Sequence, residues 1–228
     1  MGLRRFLRPL SALLVVVGAL LLLDAGATLL WQEPVSALYS RLQQGRLDDK
    51  LANLEGTEPS AVERKVLSRL GSPGRRLAYA ARALNRRTQE GDPLGRIRMP
   101  SIGVSSVVVA GTDKASLRSG PGHYPGTPLP GAHGTVAIAG HRTTYGAPFR
   151  KVDKLARGDR LEVKMPYGTF VYRVEQTRIV APTAIWVTRR TSYDRLVLSA
   201  CHPLYSAAQR IVVFARLVDS RPKGNLLA

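Results

Sequence analysis

The sequence predicts an all-β domain behind a helical N-terminal arm, and three observations lead there. Beyond Thr88 the runs GRIRMP, SSVVVAG, TVAIAGH, RLEVKMP, TFVYRVEQTRIV, RLVLSAC and RIVVFARLVD are short and β-branched, each bounded by Gly, Pro, Asp or Ser. Within TFVYRVEQT, Phe170, Tyr172 and Val174 share one face while Arg173 and Glu175 share the other, the alternation of a strand half exposed to water. Before Thr88 the apolar residues recur at helical spacing instead. About seven or eight strands in roughly 130 residues imply a closed barrel or a sandwich, and closure also removes exposed strand edges. Helix is sparse in this part, with one turn expected near Lys114 to Leu117 and another near Phe149 to Leu155.

At the N-terminus, MGLRRFLRP carries Arg4, Arg5 and Arg8 and runs into LSALLVVVGALLLL, which stays apolar as far as Leu23. Two readings fit. The apolar run suits the core of a cleavable signal, with Ala25-Gly26-Ala27 as the small-residue cleavage pattern. A retained anchor needs about 20 residues, which the segment reaches by continuing through Asp24 to Leu29, Leu30 and Trp31. Trp31 then suits the interface, and the arginines stay on the cytoplasmic side. Asp24 lies toward the outer end, where its carboxylate can approach water. The anchor is the preferred reading, and both readings export the rest of the chain. Residues 1–33 are thus assigned to a basic tip and transmembrane helix at the cell membrane, with the following domain extracellular.

From Pro34 to about Arg87, Leu38, Leu42, Leu47, Leu51 and Leu54, then Val62, Val66, Leu70, Leu77 and Leu84, suggest helices with one narrow apolar stripe. Breaks at Gly56 to Pro59 and at Gly71 to Gly74 divide the segment into two or three short helices. Residues 34–90 are therefore expected to be a basic stalk or linker. It would either lie along anionic lipid or wall polymer or serve as a solvated spacer. The domain proper is expected at 91–220, with a tail at 221–228.

With 34 Lys and Arg against 16 Asp and Glu, the net charge of the 228-residue chain is +18, a bias toward anionic surroundings such as nucleic acid, acidic lipid or cell wall. Export favours lipid and wall, and nucleic acid is not an expected partner. A single cysteine, Cys201, excludes an internal disulfide and the paired Cys/His spacing of a zinc site. The carboxylates Asp113, Asp153, Asp159, Glu162, Glu175 and Asp194 are scattered, so no calcium loop is expected, and no Gly-rich phosphate cradle precedes a helix. Neither metal nor cofactor is predicted.

Two apolar strands end alike: TVAIAG runs into His141, and RLVLSA runs into Cys201. If these strands are parallel neighbours, thiol and imidazole emerge side by side. The short loop HPLYSAAQ then favours an antiparallel next strand, whose first residue, Arg210, returns to the same rim. Those three groups suit acyl transfer. A cysteine with a pKa of about 8.5 needs a nearby cation to favour the thiolate that attacks a carbonyl. A guanidinium can hold the developing oxyanion, and an imidazolium can protonate the departing nitrogen. His202 adjoins Cys201, but neighbours on a strand point to opposite faces, so its expected role is in the turn with Pro203. His123, in GPGHYPG, is expected near the entrance as a structural or substrate-lining residue, and His133 in an exposed turn. Tyr145 and Trp186 are candidate groove walls, although large aromatics in a small barrel also serve as core.

GPGHYPGTPLPG, VAIAGHRTTYGAPF and LSACHPLYSAAQRIVVFARL, in this order and spacing, resemble the sortases, specifically the class E sortases of high-GC Gram-positive bacteria. The resemblance covers most of Gly91 to Val218. It implies a closed eight-stranded β-barrel with one or two short helices, preceded by a transmembrane helix and stalk. It also implies catalytic roles for Cys201 as nucleophile, His141 as general acid/base and Arg210 as oxyanion or substrate stabiliser. The implied substrate is a secreted protein with a C-terminal LAXTG- or LPXTG-like sorting signal. The signal is cleaved between Thr and Gly and joined to an amine of the cell-wall precursor or of another surface protein. One departure stands out. The family usually reads TLxTC at the nucleophile, whereas this chain has Val197, Leu198, Ser199, Ala200 and Cys201. Val197 keeps the shape of threonine inside a strand, while Ala200, next to the thiol, is expected to touch substrate and alter preference or turnover. The rival readings are a cell-wall cysteine peptidase or L,D-transpeptidase, which usually shows Ser-His-Gly-Cys at its thiol, and a non-enzymatic wall-binding module tethered to the membrane.

Overall fold

A computed structural model describes residues 2–30 and 34–224. The interface role expected of Trp31 and the last residues of the tail, 225–228, lie outside the described residues. Eight strands close into a barrel in the order β1-β2-β3-β4-β7-β8-β6-β5. They are β1 (Pro93–Met99), β2 (Val104–Ala110), β3 (Gly122–His123), β4 (Thr135–Ala139), β5 (Arg160–Met165), β6 (Gly168–Val180), β7 (Arg195–His202) and β8 (Gln209–Pro222). Only β2 with β3 and β4 with β7 pair in parallel; the other contacts are antiparallel. The expectation of a barrel or sandwich thus resolves to a barrel. β8 runs on to Pro222, two residues past the expected boundary at 220.

The alternation read from the sequence fills the interior. Phe170, Tyr172 and Val174 of β6 are all but inaccessible and pack with Leu161, Val163, Ile138, Leu198 and Val213 in one core. Each such side chain contributes about 1.5–3 kcal/mol relative to exposure. The helical turns expected near Lys114 and Phe149 are α5 (Lys114–Ser119) and a 3₁₀ turn at Val152–Lys154. Here α5 is the fifth helix in chain order.

The four helices before it are α1 (Gly2–Leu30), α2 (Pro34–Gly56), α3 (Ala61–Arg69) and α4 (Pro73–Arg87). Both expected breaks are present, and each has a local cause. Ser60 caps α3, accepting from Glu63 N at 3.2 Å, while the Glu63 carboxylate accepts from Ser60 N at 2.8 Å. Ser72 caps α4 with Pro73 at its first turn, where a missing N–H costs nothing.

The solvated-spacer alternative for residues 34–90 is corrected. The apolar stripe of α4, Leu77, Ala81 and Leu84, is buried and joins the barrel core together with Leu67 of α3. Leu47 and Leu51 of α2 pack on Val107 and Val109, on the outer face of β2. Gln44 fastens α2 further: Nε2 donates to Val107 O at 3.2 Å and Ser119 O at 2.7 Å, and Oε1 accepts from Val107 N at 2.7 Å and Ser106 Oγ at 2.9 Å. Residues 34–87 are therefore a collar on the barrel, not a solvated spacer. The α4 stripe meets the barrel core, and Leu47 and Leu51 of α2 meet the apolar outer face of β2.

Candidate active site

The site is built by strand register. β4 and β7 run parallel with Thr135 opposite Arg195 and Ala139 opposite Ser199, and the ladder continues with Gly140 N donating to Ser199 O at 3.0 Å. His141 and Cys201 each lie two residues beyond the last matched pair, at the same level of neighbouring strands. β7 and β8 run antiparallel with Cys201 directly opposite Arg210. The three groups therefore come to one edge of the barrel, although about 60 residues separate His141 from Cys201 along the chain.

Alternation settles which face they use. Leu196, Leu198 and Ala200 of β7, with Ile211, Val213 and Ala215 of β8, point into the core. Val197 of β7, Val212 and Phe214 of β8 and Ala137 of β4 form a second apolar cluster on the outer face. Cys201 and Arg210 share parity with the outer set, so thiol and guanidinium stand on the outside of the wall near its edge. Cys201 is a free thiol, half-buried. The Arg210 guanidinium is steadied by its own loop, Nη1 donating to Ala207 O at 2.9 Å and Gln209 O at 3.0 Å. Among the described residues no carboxylate lies within 4.0 Å of it.

Backbone contacts hold His141. Its carbonyl accepts from Phe149 N at 3.0 Å, folding the segment after β4 back on itself. Gly140 allows that fold, since a Cβ there would lie 2.6 Å from the Phe149 ring. The Tyr145 ring sits 5.3 Å from that of His141, and Arg118 of α5 lies 5.6 Å over the Tyr145 ring. Burial first, then the Arg118 charge, holds the His141 imidazole below its usual pKa, so the ring is mainly neutral at pH 7. A neutral ring can accept a proton, and gaining one forms the imidazolium expected to protonate a departing nitrogen.

The other candidates divide. Tyr145 does line the site, beside His141. Trp186 stacks on Phe214 at 6.0 Å over the outer cluster, on the same wall as Cys201. Ala200, expected to contact substrate, is buried in the barrel interior on the face away from the thiol. His123, expected near the entrance, is buried in β3 with Nε2 3.1 Å from Pro128 O and 3.0 Å from Thr127 Oγ1. Burial lowers its pKa to about 4. It ties the loop after β3 to the barrel and lines nothing open. His133 sits in an exposed turn and pairs with Asp194 at 2.7 Å.

One residue of the site was overlooked in the sequence. Arg142, buried immediately after His141, donates to the Asp153 carboxylate at 2.8 Å and to Arg150 O at 3.2 Å, and reaches Cys201 O and His202 Nδ1 at 3.4 Å. It braces the His141 segment against the end of β7 from inside. His202 is its partner on that inner side, as the opposite-face argument predicts. The same argument applied to His141 and Arg142 is the signal that would have found it.

A closed barrel brings a thiol, an imidazole and a guanidinium to one edge, the groups that cysteine-dependent acyl transfer requires. The sequence profile of the Sortase domain matches residues 97–218, more than half of the chain. The chain is 31% identical over 135 residues to Sortase D of Bacillus subtilis (strain 168), covering 57% of this chain and 66% of that protein. It is 26% identical over 153 residues to Sortase SrtE1 of Streptomyces coelicolor, covering 60% of this chain and 44% of that protein. Among solved structures, Sortase E1 from Streptomyces coelicolor with a tripeptide in its active site has a TM-score of 0.53 at 26% identity, covering 60% of this chain and 98% of that one. The chain belongs to the sortase family.

Proposed function

We propose that this protein is a membrane-anchored cysteine transpeptidase that cleaves a C-terminal LAXTG- or LPXTG-like sorting signal between Thr and Gly. The observation that carries the reading is the register placing Cys201 opposite Arg210 on β7 and β8, with β7 parallel to the strand that ends at His141. The extracellular setting rests on α1, whose segment Arg8–Ala27 has a mean hydropathy of 2.3 and no buried share, long and apolar enough to cross a bilayer.

In this reading Cys201 Sγ attacks the carbonyl carbon of the signal's threonine. The thiol proton passes to neutral His141, and the carbonyl oxygen becomes an oxyanion beside the Arg210 guanidinium. Collapse breaks the Thr–Gly bond, with His141 returning its proton to the glycine nitrogen and the threonine left as a thioester on Cys201. An incoming amine then attacks the thioester and loses a proton to His141; collapse breaks the C–S bond, and the expelled thiolate takes that proton from His141, leaving a new amide, a free thiol and a neutral imidazole. Water in place of the amine gives hydrolysis. The secreted donor and the amine of a wall precursor or surface protein are the partners this chemistry requires.

Mass spectrometry of the protein incubated with LAXTG and LPXTG peptides, with and without an amine, tests the proposal. The expected result is an adduct on Cys201 equal to the peptide less its Gly-containing fragment, cleared by the amine, and no turnover in Cys201→Ala. Cleavage indifferent to the sorting sequence overturns it in favour of another cysteine peptidase, and absence of adduct and turnover with every peptide overturns it in favour of the tethered module. Turnover that survives Cys201→Ala overturns it by removing the thiol from the chemistry.

A further inference from the structure

The leucines of α2 form two stripes, not the single one read from the sequence. Leu47 and Leu51, past Gln44, are buried against the barrel. Before Gln44, Val35, Leu38, Tyr39 and Leu42 are 72%, 60%, 42% and 61% exposed. Their i, i+3, i+4, i+7 spacing puts them on one face. The five-residue step from Leu42 to Leu47 rotates the helix by about 140° beyond a full turn, so the two stripes look in different directions. The barrel side of this first part of α2 is made of small residues: Ser36, Ala37 and Ser40 are buried, and Ser36 Oγ accepts from Tyr145 N at 2.9 Å. Serines face the protein and leucines face outward, the reverse of an ordinary surface helix.

Chain connectivity identifies what those leucines meet. α1 ends at Leu30, and Val35 follows five residues later, so at most about 18 Å of fully extended chain separates them. The polar zone of a bilayer leaflet is about 5–8 Å deep, within that reach. Arg41, on the same part of α2, and Arg46, about one turn past Leu42, are exposed, and among the described residues no carboxylate lies within 4.0 Å of either. Cations flanking an apolar stripe suit a helix lying in the plane of an anionic membrane surface.

We infer that the first turns of α2 lie in the polar zone of an anionic phospholipid bilayer, with Val35, Leu38 and Leu42 directed at its acyl chains. The inference rests on reading α1 as a membrane span. It follows that the catalytic edge faces the membrane, because the barrel side of these turns touches Tyr145, itself beside His141. Donors and acceptors tethered to the same leaflet then reach Cys201 along the surface, at a local concentration that soluble molecules do not attain.

Spin labels on the full chain in vesicles of phosphatidylglycerol and phosphatidylcholine test this. Cys201→Ala removes the native thiol, and Leu38→Cys, Leu42→Cys or, beyond the far end of α2, Glu58→Cys provides one labelling site at a time. Labels at 38 and 42 should be several-fold more accessible to oxygen dissolved in lipid, and less accessible to a water-soluble nickel chelate, than the label at 58. Equal exposure to the chelate at 38, 42 and 58 overturns the inference. Dipolar broadening between labels at 38 on different molecules also overturns it, by assigning the stripe to a second copy. Alkaline carbonate extraction separates the two readings. A chain that washes off the membrane ends the anchor and this inference together; a chain that stays while its labels remain in water ends only the inference. In a second arm, Leu38→Glu with Leu42→Glu in the active protein should slow transfer from a membrane-tethered sorting peptide several-fold and leave a soluble peptide unaffected. Equal slowing of both peptides counts against it.

Discussion

The β4–β7–β8 wall and the helical collar are held in place by different physics. On the wall a few register contacts decide everything: one ladder places Ala139 opposite Ser199, another places Cys201 opposite Arg210, and the reactive side chains stand outside the packed core. In the collar no single contact dominates, and attachment is spread over Leu47, Leu51, Leu67, Leu77, Ala81, Leu84 and the Gln44 bonds. Cys201 and Arg210, half-exposed at the edge of the wall, can therefore be exchanged at little cost to the fold, whereas the collar can be weakened without touching the chemistry. Stability and reactivity are assigned to separate parts of the molecule.

Three substitutions break or sharpen that contrast. The largest effect is expected at Arg210. With the guanidinium at the oxyanion, Arg210→Ala should lower kcat/KM by about 100- to 1000-fold. Because the residue lies outside the core, its urea midpoint should match that of the parent, and a variant that lost both activity and stability would blur the division. Leu77→Ala probes the other side. Truncating this buried collar residue should cost about 2–4 kcal/mol in urea unfolding while kcat stays within a factor of about two, since Leu77 lies against Gly168 at the start of β6 and Cys201 is level with that strand's far end. A collapse of kcat at full occupancy of the folded state would show that the collar tunes the site.

The third effect appears only in acid. His123 is buried with a folded pKa of about 4, below its ordinary value of 6.5. Between those values the unfolded chain binds a proton that the folded chain refuses, so stability falls as pH falls. The contribution is complete above about pH 6.5 and about 3 kcal/mol smaller at pH 4. Burial and the Arg118 charge depress His141 too, adding in the same direction. His123→Gln should flatten the slope of unfolding free energy between pH 6.5 and 4, and an unchanged slope would remove His123 from the account.

Much of the site could be read in the residues themselves. TVAIAGH and RLVLSAC announce strands that stop at reactive groups, and a loop too short for a crossover returns Arg210 to the thiol. The strand alternation that puts His202 on the far side from Cys201 also hides Arg142 behind His141, although an arginine in a polar run has the composition of a surface segment. Ala200 and His123 were misplaced for a related reason: adjacency to a nucleophile and a Gly/Pro-rich setting suggest exposure, whereas alternation and burial put both inside.

Element type and reactive chemistry were thus written in the order of residues, because backbone propensity, caps and side-chain period act over a few positions. What each face would meet was a different matter. β4 lies beside β7, and α2 beside β2, only because the barrel closes, joining segments about 60 residues apart in both cases. Closure gave the collar leucines an apolar wall to cover, left Val35, Leu38 and Leu42 without one, and set thiol, imidazole and guanidinium along a single edge. Long-range packing chose the partner for every apolar stripe, and no local periodicity carries that information.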